Sequence, residues 1–344
     1  MTSEVTIRGA GIFGLTLAWE VLRRGAAVTV VDPAGPGAGA SGGVVGALAP
    51  HVPERWDAVK ALQFDSLIGA GAFWAEVAAA GGVDPGYART GRIQPLADAE
   101  AVARAEARGA GAAEHWQGRA EWRVIPAPEG WGPVSPTGLV LHDTLSARID
   151  PGRAVAALAA AIRSSGGVVT GAARDRGTVV WATGAAGLTA LTADLGQEVG
   201  RAIKGQAAVL DYDARSLPQI YADRLHVVPH ANGTVAVGST TEREFDDPAA
   251  TDGGLDEVIA RARAAVPILG RAPVLRRWAG LRPRARTRQP VIGPWPGWTG
   301  HVVVNGGFKI GFGVAQGVAR MAADLILDGT RVPEAFRLDA SLRR

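Results

Sequence analysis

The stretch "EVTIRGAGIFGLTLAWEVLRRGAAVTVVD", residues 4–32, restricts the fold more than any other part of the chain. Val5 and Ile7 alternate with polar residues, apolar residues recur at helical spacing from Leu15 to Leu22, Gly25 stops the helix, and "AVTVV" reads as a buried strand. Between the first strand and the helix lies G-x-G-x-x-G at Gly9, Gly11 and Gly14, and Asp32 ends the second strand 18 residues beyond Gly14. Each part has a task. Gly9 makes the turn, Gly11 lets a pyrophosphate approach the backbone, and Gly14 lets helix and strand pack closely. The helix N-terminus offers N–H groups and partial positive charge, and Asp32 can accept from a ribose hydroxyl. A glycine triplet alone is only a tight turn; with strand, helix, second strand and acid in register it is a dinucleotide site.

The continuation, "PAGPGAGASGGVVGALAPH", narrows the ligand. A nicotinamide-binding unit would proceed at once to further strand–helix units. This chain lays down a Gly/Ala/Ser loop whose N–H groups can come close to a large ligand, with Ser41 able to hydrogen-bond a phosphate or ribitol. Taken together, "GAGIFG…VTVVD…GASGGVVGALAPH" resembles the FAD-binding start of the glycine oxidase / D-amino-acid oxidase family, which includes sarcosine oxidases. The "GASG…GAL.P" form is similar to the FAD domain of the bifunctional enzyme that oxidises a modified wobble uridine of tRNA. The resemblance implies that Gly9, Gly11, Ile12, Phe13, Gly14, Asp32, Ala40, Ser41, Ala47 and Leu48 serve FAD, and that His51 stands near the substrate.

Composition excludes several alternatives. The chain has no cysteine, so disulfides, Cys-based metal centres, a thiol nucleophile and a cysteinyl-linked flavin are ruled out, and FAD is expected to be held non-covalently. Its six histidines show no metal-ligand spacing, so no metal site is expected. The longest apolar runs are far too short to span a bilayer. The start, "MTSEVTIRGAG", lacks a basic n-region and an apolar h-region, and a cytoplasmic location is the expectation. A net charge of +3 is weak ground for a polyanionic partner.

Farther on, residues 57–80 and 98–119 read as helices and "RTGRIQPL" as a short strand. Asp150 caps a helix that begins at Pro151, and "TVVWATG" reads as a strand ending at Thr183 and Gly184. In the family such a strand returns beside the first one, and its glycine passes close to FAD. A hairpin usual in the family has almost no room here; the adenine contact is set at Ala173. "KGQAAVL" and "RLHVVPHANGTVAVGSTTE" alternate like antiparallel strands, the second around an Asn-Gly turn. His226 stands where the family commonly has a tyrosine that meets the substrate; it is either a ligand contact or a histidine on a half-solvated strand.

The C-terminal block "GLRPRARTRQPVIGPWPG" resembles the family's "GLRP…P.IGP" signature, in which the arginine at the position of Arg282 forks onto the substrate carboxylate. Six arginines lie between Arg276 and Arg288. If this segment is extended, Arg282, Arg284, Arg286 and Arg288 share a face, serving either an anionic substrate or only solvation. "NGGFKIGFGVAQG" then gives a strand end, a glycine turn and a helix from about Gly313. The resemblance sets Gly306, Gly307, Phe308, Lys309 and Ile310 along the flavin. Lys309 is one of three lysines in a chain whose other 33 basic residues are arginine. In sarcosine oxidases the matching lysine faces flavin and carboxylate, so Arg282 and Lys309 are the expected catalytic pair.

The fold expected is α/β: a Rossmann-like FAD-binding domain (1–75, 139–203 and 276–344) interleaved with a substrate domain (76–138 and 204–275) built on an antiparallel sheet, an α+β unit. The activity expected is FAD-dependent oxidation of the C–N bond of an amino acid or secondary amine to an imine. The small-molecule amine is the expected partner. The alternative is FAD-dependent oxidation of a tRNA wobble-uridine side chain, which the arginine row would suit; the partner methyltransferase domain and aromatics interleaved with the basic row are both missing.

Overall fold

The computed structural model describes residues 3–343. The chain opens with β1 (Glu4–Arg8), α1 (Ile12–Arg23) and β2 (Ala27–Val31), then β3 (Ala47–Leu48). Helix α2 (Ala58–Gly81) starts where the Asp57 side chain accepts from the N–H groups of Val59 and Lys60 and stops at Gly82, whose φ of 68° is left-handed. After β4 (Arg92–Pro95) comes α3 (Ala99–Trp116), capped by Asp98. Strands β5 (Trp122–Pro126), β6 (Leu139–Asp143) and β7 (Ala147–Arg148) lead to α4 (Pro151–Ser164), where Asp150 accepts from Arg153 N–H as its sequence position predicts. Next are β8 (Val168–Thr170), β9 (Thr178–Trp181), α5 (Gly184–Leu195), β10 (Gly200–Leu210), β11 (Gln219–Ala222), β12 (Leu225–Pro229), β13 (Val235–Gly238) and α6 (Gly253–Ala265). The chain ends with β14 (Val274–Ala285), β15 (Val291–Pro294), β16 (His301–Asn305), α7 (Gly311–Asp328) and α8 (Leu338–Leu342).

Two large sheets result. One has the order β15-β16-β9-β1-β2-β8, parallel throughout except for the β15–β16 pair. Its core packs against α1, α2, α4 and α7, with Ile7, Leu15, Leu17, Val30, Ile162 and Val318 fully buried. The other has the order β14-β10-β13-β12-β11-β4-β6-β5 and is antiparallel except for β11–β4. Its core, around Ile220, Val235, Val237, Leu255 and Leu269, is covered by α6.

Sheet membership divides the chain elsewhere than the expected boundaries. Strand β6, set at the head of the dinucleotide segment 139–203, pairs with β4 and β5 of the second sheet. A cut after residue 203 would fall inside β10, and β14 pairs with β10 along its length although it was grouped with 276–344. These strands carry little that marks their partner, because long-range ladders decide it. Only 171–177 separates β8 from β9, so the usual hairpin is absent.

Candidate active site

A single cavity of about 860 Å³ runs from the tip of β2 to the face of β14. Its dinucleotide end is built from backbone. Gly9 has φ +107°, and a Cβ there would lie 2.4 Å from Ala182 O. Gly14 is not on the wall; a Cβ there would lie 1.9 Å from Gly9 O, so it lets α1 sit directly under the turn. The Ser41 hydroxyl accepts from Ile12 N–H at 2.9 Å, which ties the Gly/Ala loop to the start of α1. Asp32 accepts from Ala10 N–H (2.9 Å) and Ala34 N–H (3.1 Å) and stands on the wall. Ala40, Ala47, Phe13, Thr183 and Gly184 also line the cavity.

The opposite end is built from charged and polar side chains. Arg282 points from β14 across β10: a Cβ on Gly205 would fall within about 2 Å of its guanidinium, at 1.9 Å from Nη1 and 2.0 Å from Nη2. Only glycine leaves room for the guanidinium to lie there. Arg282 donates from Nη2 to Ser239 Oγ (2.7 Å) and from Nη1 to Thr240 O (3.2 Å). Lys309 donates to Thr241 Oγ1 (2.9 Å), and Glu242 lies 3.5 Å from the buried Lys204. Four successive residues, Ser239 to Glu242, thus fix Arg282, Lys309 and Lys204. The same segment is held at its far end by Asp252, which lies 3.4 Å from Lys204 and accepts from Gln206 Nε2 at 2.8 Å.

Burial lowers the Arg282 guanidinium to about 10, still fully charged near neutral pH. Lys309 is also lowered, first by burial and then by Arg282, although its side chain is exposed on the cavity wall. His226 lines this end from β12. Burial, with Arg92, Lys309 and Arg282 adding repulsion, lowers it to about 3, so the imidazole is neutral. Its Nδ1 is buried and has no protein partner. It is therefore a neutral hydrogen-bonding group on a wall it shares with Arg282 and Lys309.

Of the residues expected at the site, Gly9, Gly11, Ile12, Phe13, Asp32, Ala40, Ser41, Ala47, Thr183, Gly184, His226, Arg282, Gly307, Phe308 and Lys309 share this one cavity. Six do not line it. Gly14 lies beneath the turn; Leu48 is buried in the core; His51 is exposed, its N–H donating to Gln63 Oε1. Ala173 is exposed on the short 171–177 connection. Gly306 is buried behind the wall with φ +84°, and Ile310 caps α7 and packs into the core. The shared arginine face also ends early. β14 stops at Ala285, Arg286 turns to Ser341 O, and Arg288 sits in a turn at φ 65°, while Arg284 stacks 5.9 Å from the Phe308 ring centroid. The row that favoured a nucleic-acid substrate does not form.

Several wall residues escaped the sequence reading. Trp278 and Gly280 precede Arg282 by four and two residues on β14, and the period of a strand would have found them. Ser239, Asn305 and Arg224 on the wall, and Gly205 beneath the Arg282 guanidinium, carry no local signal, since their roles arise from neighbours far away in sequence. Among the described residues there is no cluster of metal-ligating side chains and no helix long and apolar enough to cross a membrane.

The arrangement suits FAD. The glycines sit where a Cβ would crowd the backbone, the Asp32 carboxylate stands on the wall at the strand tip, and the cavity continues without a break to a cationic end. Residues 4–325 match the model of a family described as FAD dependent oxidoreductase. The chain is 27% identical to a glycine oxidase of Pseudomonas aeruginosa over 354 residues, covering 95% of both. It is 30% identical to a putative thiamine biosynthesis oxidoreductase of Rhizobium etli over 345 residues, covering 96% of this chain and 98% of that one. Among solved structures, glycine oxidase from Geobacillus kaustophilus superposes with a TM-score of 0.80 at 20% identity, covering 96% of each chain. Iminodiacetate oxidase from a Chelativorans species gives 0.79 at 22% identity, covering 96% of this chain and 97% of that one.

Proposed function

The chain belongs to the FAD dependent oxidoreductase family and is an FAD-dependent enzyme of the glycine oxidase and amine oxidase type, and from that premise we propose that its substrate is a small amino acid or secondary amine held by a carboxylate at Arg282. The observation that carries this reading is the guanidinium itself: wedged on Gly205, bonded among the described residues only to Ser239 and Thr240, and open to the cavity. An arginine has five N–H groups, so donors remain for a carboxylate.

When bound, FAD supplies a two-electron acceptor for hydride. The residues of this chain do the rest by orientation and charge. Arg282 fixes the carboxylate and thereby the carbon beside it. Arg282 and Lys309 disfavour an ammonium nearby, which lowers the pKa of the incoming amine and lets it react neutral. The neutral His226 can accept an N–H from that amine through Nδ1, or donate if the other tautomer is present. Lys309 favours negative charge that develops on its wall during the transfer.

Anaerobic mixing of the FAD-loaded protein with glycine, sarcosine, D- and L-amino acids and proline tests the proposal. Bleaching of the flavin by at least one of them is the expected result. A flavin that stays oxidised with every carboxylate-bearing amine, yet is reduced by an amine lacking a carboxylate, would remove Arg282 from the substrate site.

A further inference from the structure

The charged residues on the cavity wall are Arg8, Asp32, Arg224, Arg282 and Lys309. The one acid, Asp32, closes its own backbone turn at the dinucleotide end. Arg8 is neutralised by Asp175 at 2.8 Å and lies over the Trp181 ring. Arg224, Arg282 and Lys309 have no carboxylate within ion-pair distance among the described residues; the bonds to Arg282 and Lys309 come from hydroxyls and a carbonyl. Three cations therefore face a space in which one carboxylate would leave charge unmatched.

Arg224 stands at an unexpected place for such a residue. It and Asp223 form the two-residue tip of the β11–β12 hairpin, between the paired Ala222 and Leu225, with φ of 61° and 47°. This left-handed geometry favours glycine or asparagine, and other residues adopt it at a cost. The acid beside Arg224 does not neutralise it, because Asp223 is taken by Arg261, which donates to its carboxylate (2.5 Å) and its carbonyl (2.6 Å). One step inward on the same hairpin, the paired Tyr221 and His226 also line the cavity. Arg224 precedes His226 by two residues, roughly 7 Å of extended backbone. The tip thus carries a cation two residues beyond the neutral imidazole on the same cavity wall as Arg282.

We propose that the substrate carries two acidic groups, one carboxylate on Arg282 and a second on Arg224, so that the enzyme selects acidic amino acids or amines bearing a carboxyalkyl group over those with a single carboxylate. The inference rests on the reading of Arg282 given above. It also relocates the extra positive charge: Arg284, Arg286 and Arg288 do not line the cavity, whereas Arg224 does.

The test is anaerobic reduction of the FAD-loaded enzyme by matched pairs: glycine and sarcosine against N-(carboxymethyl)glycine and both enantiomers of aspartate. The quantity read is the ratio of second-order reduction constants, best diacid over best monoacid. The expected ratio is about tenfold or more, since a charge-assisted hydrogen bond contributes about 1.5–3 kcal/mol. Arg224→Asn, which suits the left-handed turn, should lower the ratio about tenfold, chiefly through the substrate dissociation constant. Arg224→Glu should bring it below one. A wild-type ratio near one, or a ratio that Arg224→Asn leaves unaltered, overturns the inference while leaving the carboxylate reading standing. Reduction by none of the five would overturn this inference, and the carboxylate reading would fall with it only if the other amino acids and proline also left the flavin oxidised.

Discussion

The two ends of the cavity are made of different material. At the dinucleotide end the ligand meets backbone: Gly9, Gly11, the loop tied down by Ser41, and one acid at a strand tip. At the amine end it meets side chains: His226, and Arg282 and Lys309, which Gly205 and the Ser239–Glu242 segment hold in place. The first construction depends on where a Cβ is absent, the second on where charge is present and unmatched. They should fail in different ways. Damage to the backbone end should remove the cofactor, and damage to the side-chain end should spare the cofactor and impair the amine.

The largest effect is expected from Gly14→Val. Its Cβ would stand 1.9 Å from the Gly9 carbonyl, a backbone atom that cannot swing aside, so α1 must lift off the turn. The protein should purify with flavin content reduced at least about tenfold, measured as the ratio of visible to protein absorbance. Full flavin occupancy would show that the turn tolerates displacement and would erase the contrast. Gly205→Ala comes next. Its Cβ would meet only the end of the Arg282 side chain, which can move. Flavin content should stay at the wild-type level while kcat/KM for a carboxylate-bearing amine falls about 10- to 100-fold, the loss of one or two charge-assisted hydrogen bonds. Unchanged kinetics would mean that the guanidinium does not need its present position.

A smaller and more specific effect is expected at His226. Because its imidazole is lowered to about 3, it stays neutral above pH about 4, and the pH–rate profile should show no inflection near the ordinary histidine value of 6.5. His226→Asn should raise KM several-fold and leave the shape of the profile alone. A limb near 6.5 that disappears in the variant would show instead that the residue is solvated and titrates, as a histidine on a half-open strand would.

The same contrast explains what the sequence disclosed. The dinucleotide unit is local: strand, turn, helix and acid fit within residues 4–32, so glycine spacing reads directly as geometry. The amine end draws on β10, β12, β14, the 239–242 segment and the 305–309 turn, brought together by ladders that no single window contains. Arg282 and Lys309 came into view through resemblance to a family, and Gly205 did not, because its task exists only once β10 lies beside β14 in the register Gly205↔Gly280. His51 and Ala173 also rest on the resemblance, and in the fold the first is exposed and the second lies on an exposed connection. The arginine row failed for a local reason of another kind: β14 ends at Ala285, and alternation ends with it.

The finest distinction concerns Lys309, which belongs to both ends, seated in the glycine turn yet bonded to Thr241 beside Arg282. Burial and then Arg282 lower its pKa below the ordinary 10.5. The charge is therefore lost as pH rises through the depressed value, earlier than for a free lysine. If the ammonium helps to hold a carboxylate, acetate should bind wild type more tightly than Lys309→Met at pH 7, by about tenfold for one charged hydrogen bond. That gap should close as the pH is raised, and it should do so before 10.5. A gap that persists at constant size would mean the lysine acts through its alkyl chain and not its charge. The linkage sign gives an independent reading: a lysine whose folded pKa is lowered opposes folding at every pH below that value, and the penalty fades as pH rises through it. Lys309→Met should thus melt no lower than wild type at neutral pH while binding acetate less well. A variant that bound acetate poorly and also melted well below wild type would identify the residue as a packing element of the turn, and the cation would then belong to the fold and not to the chemistry.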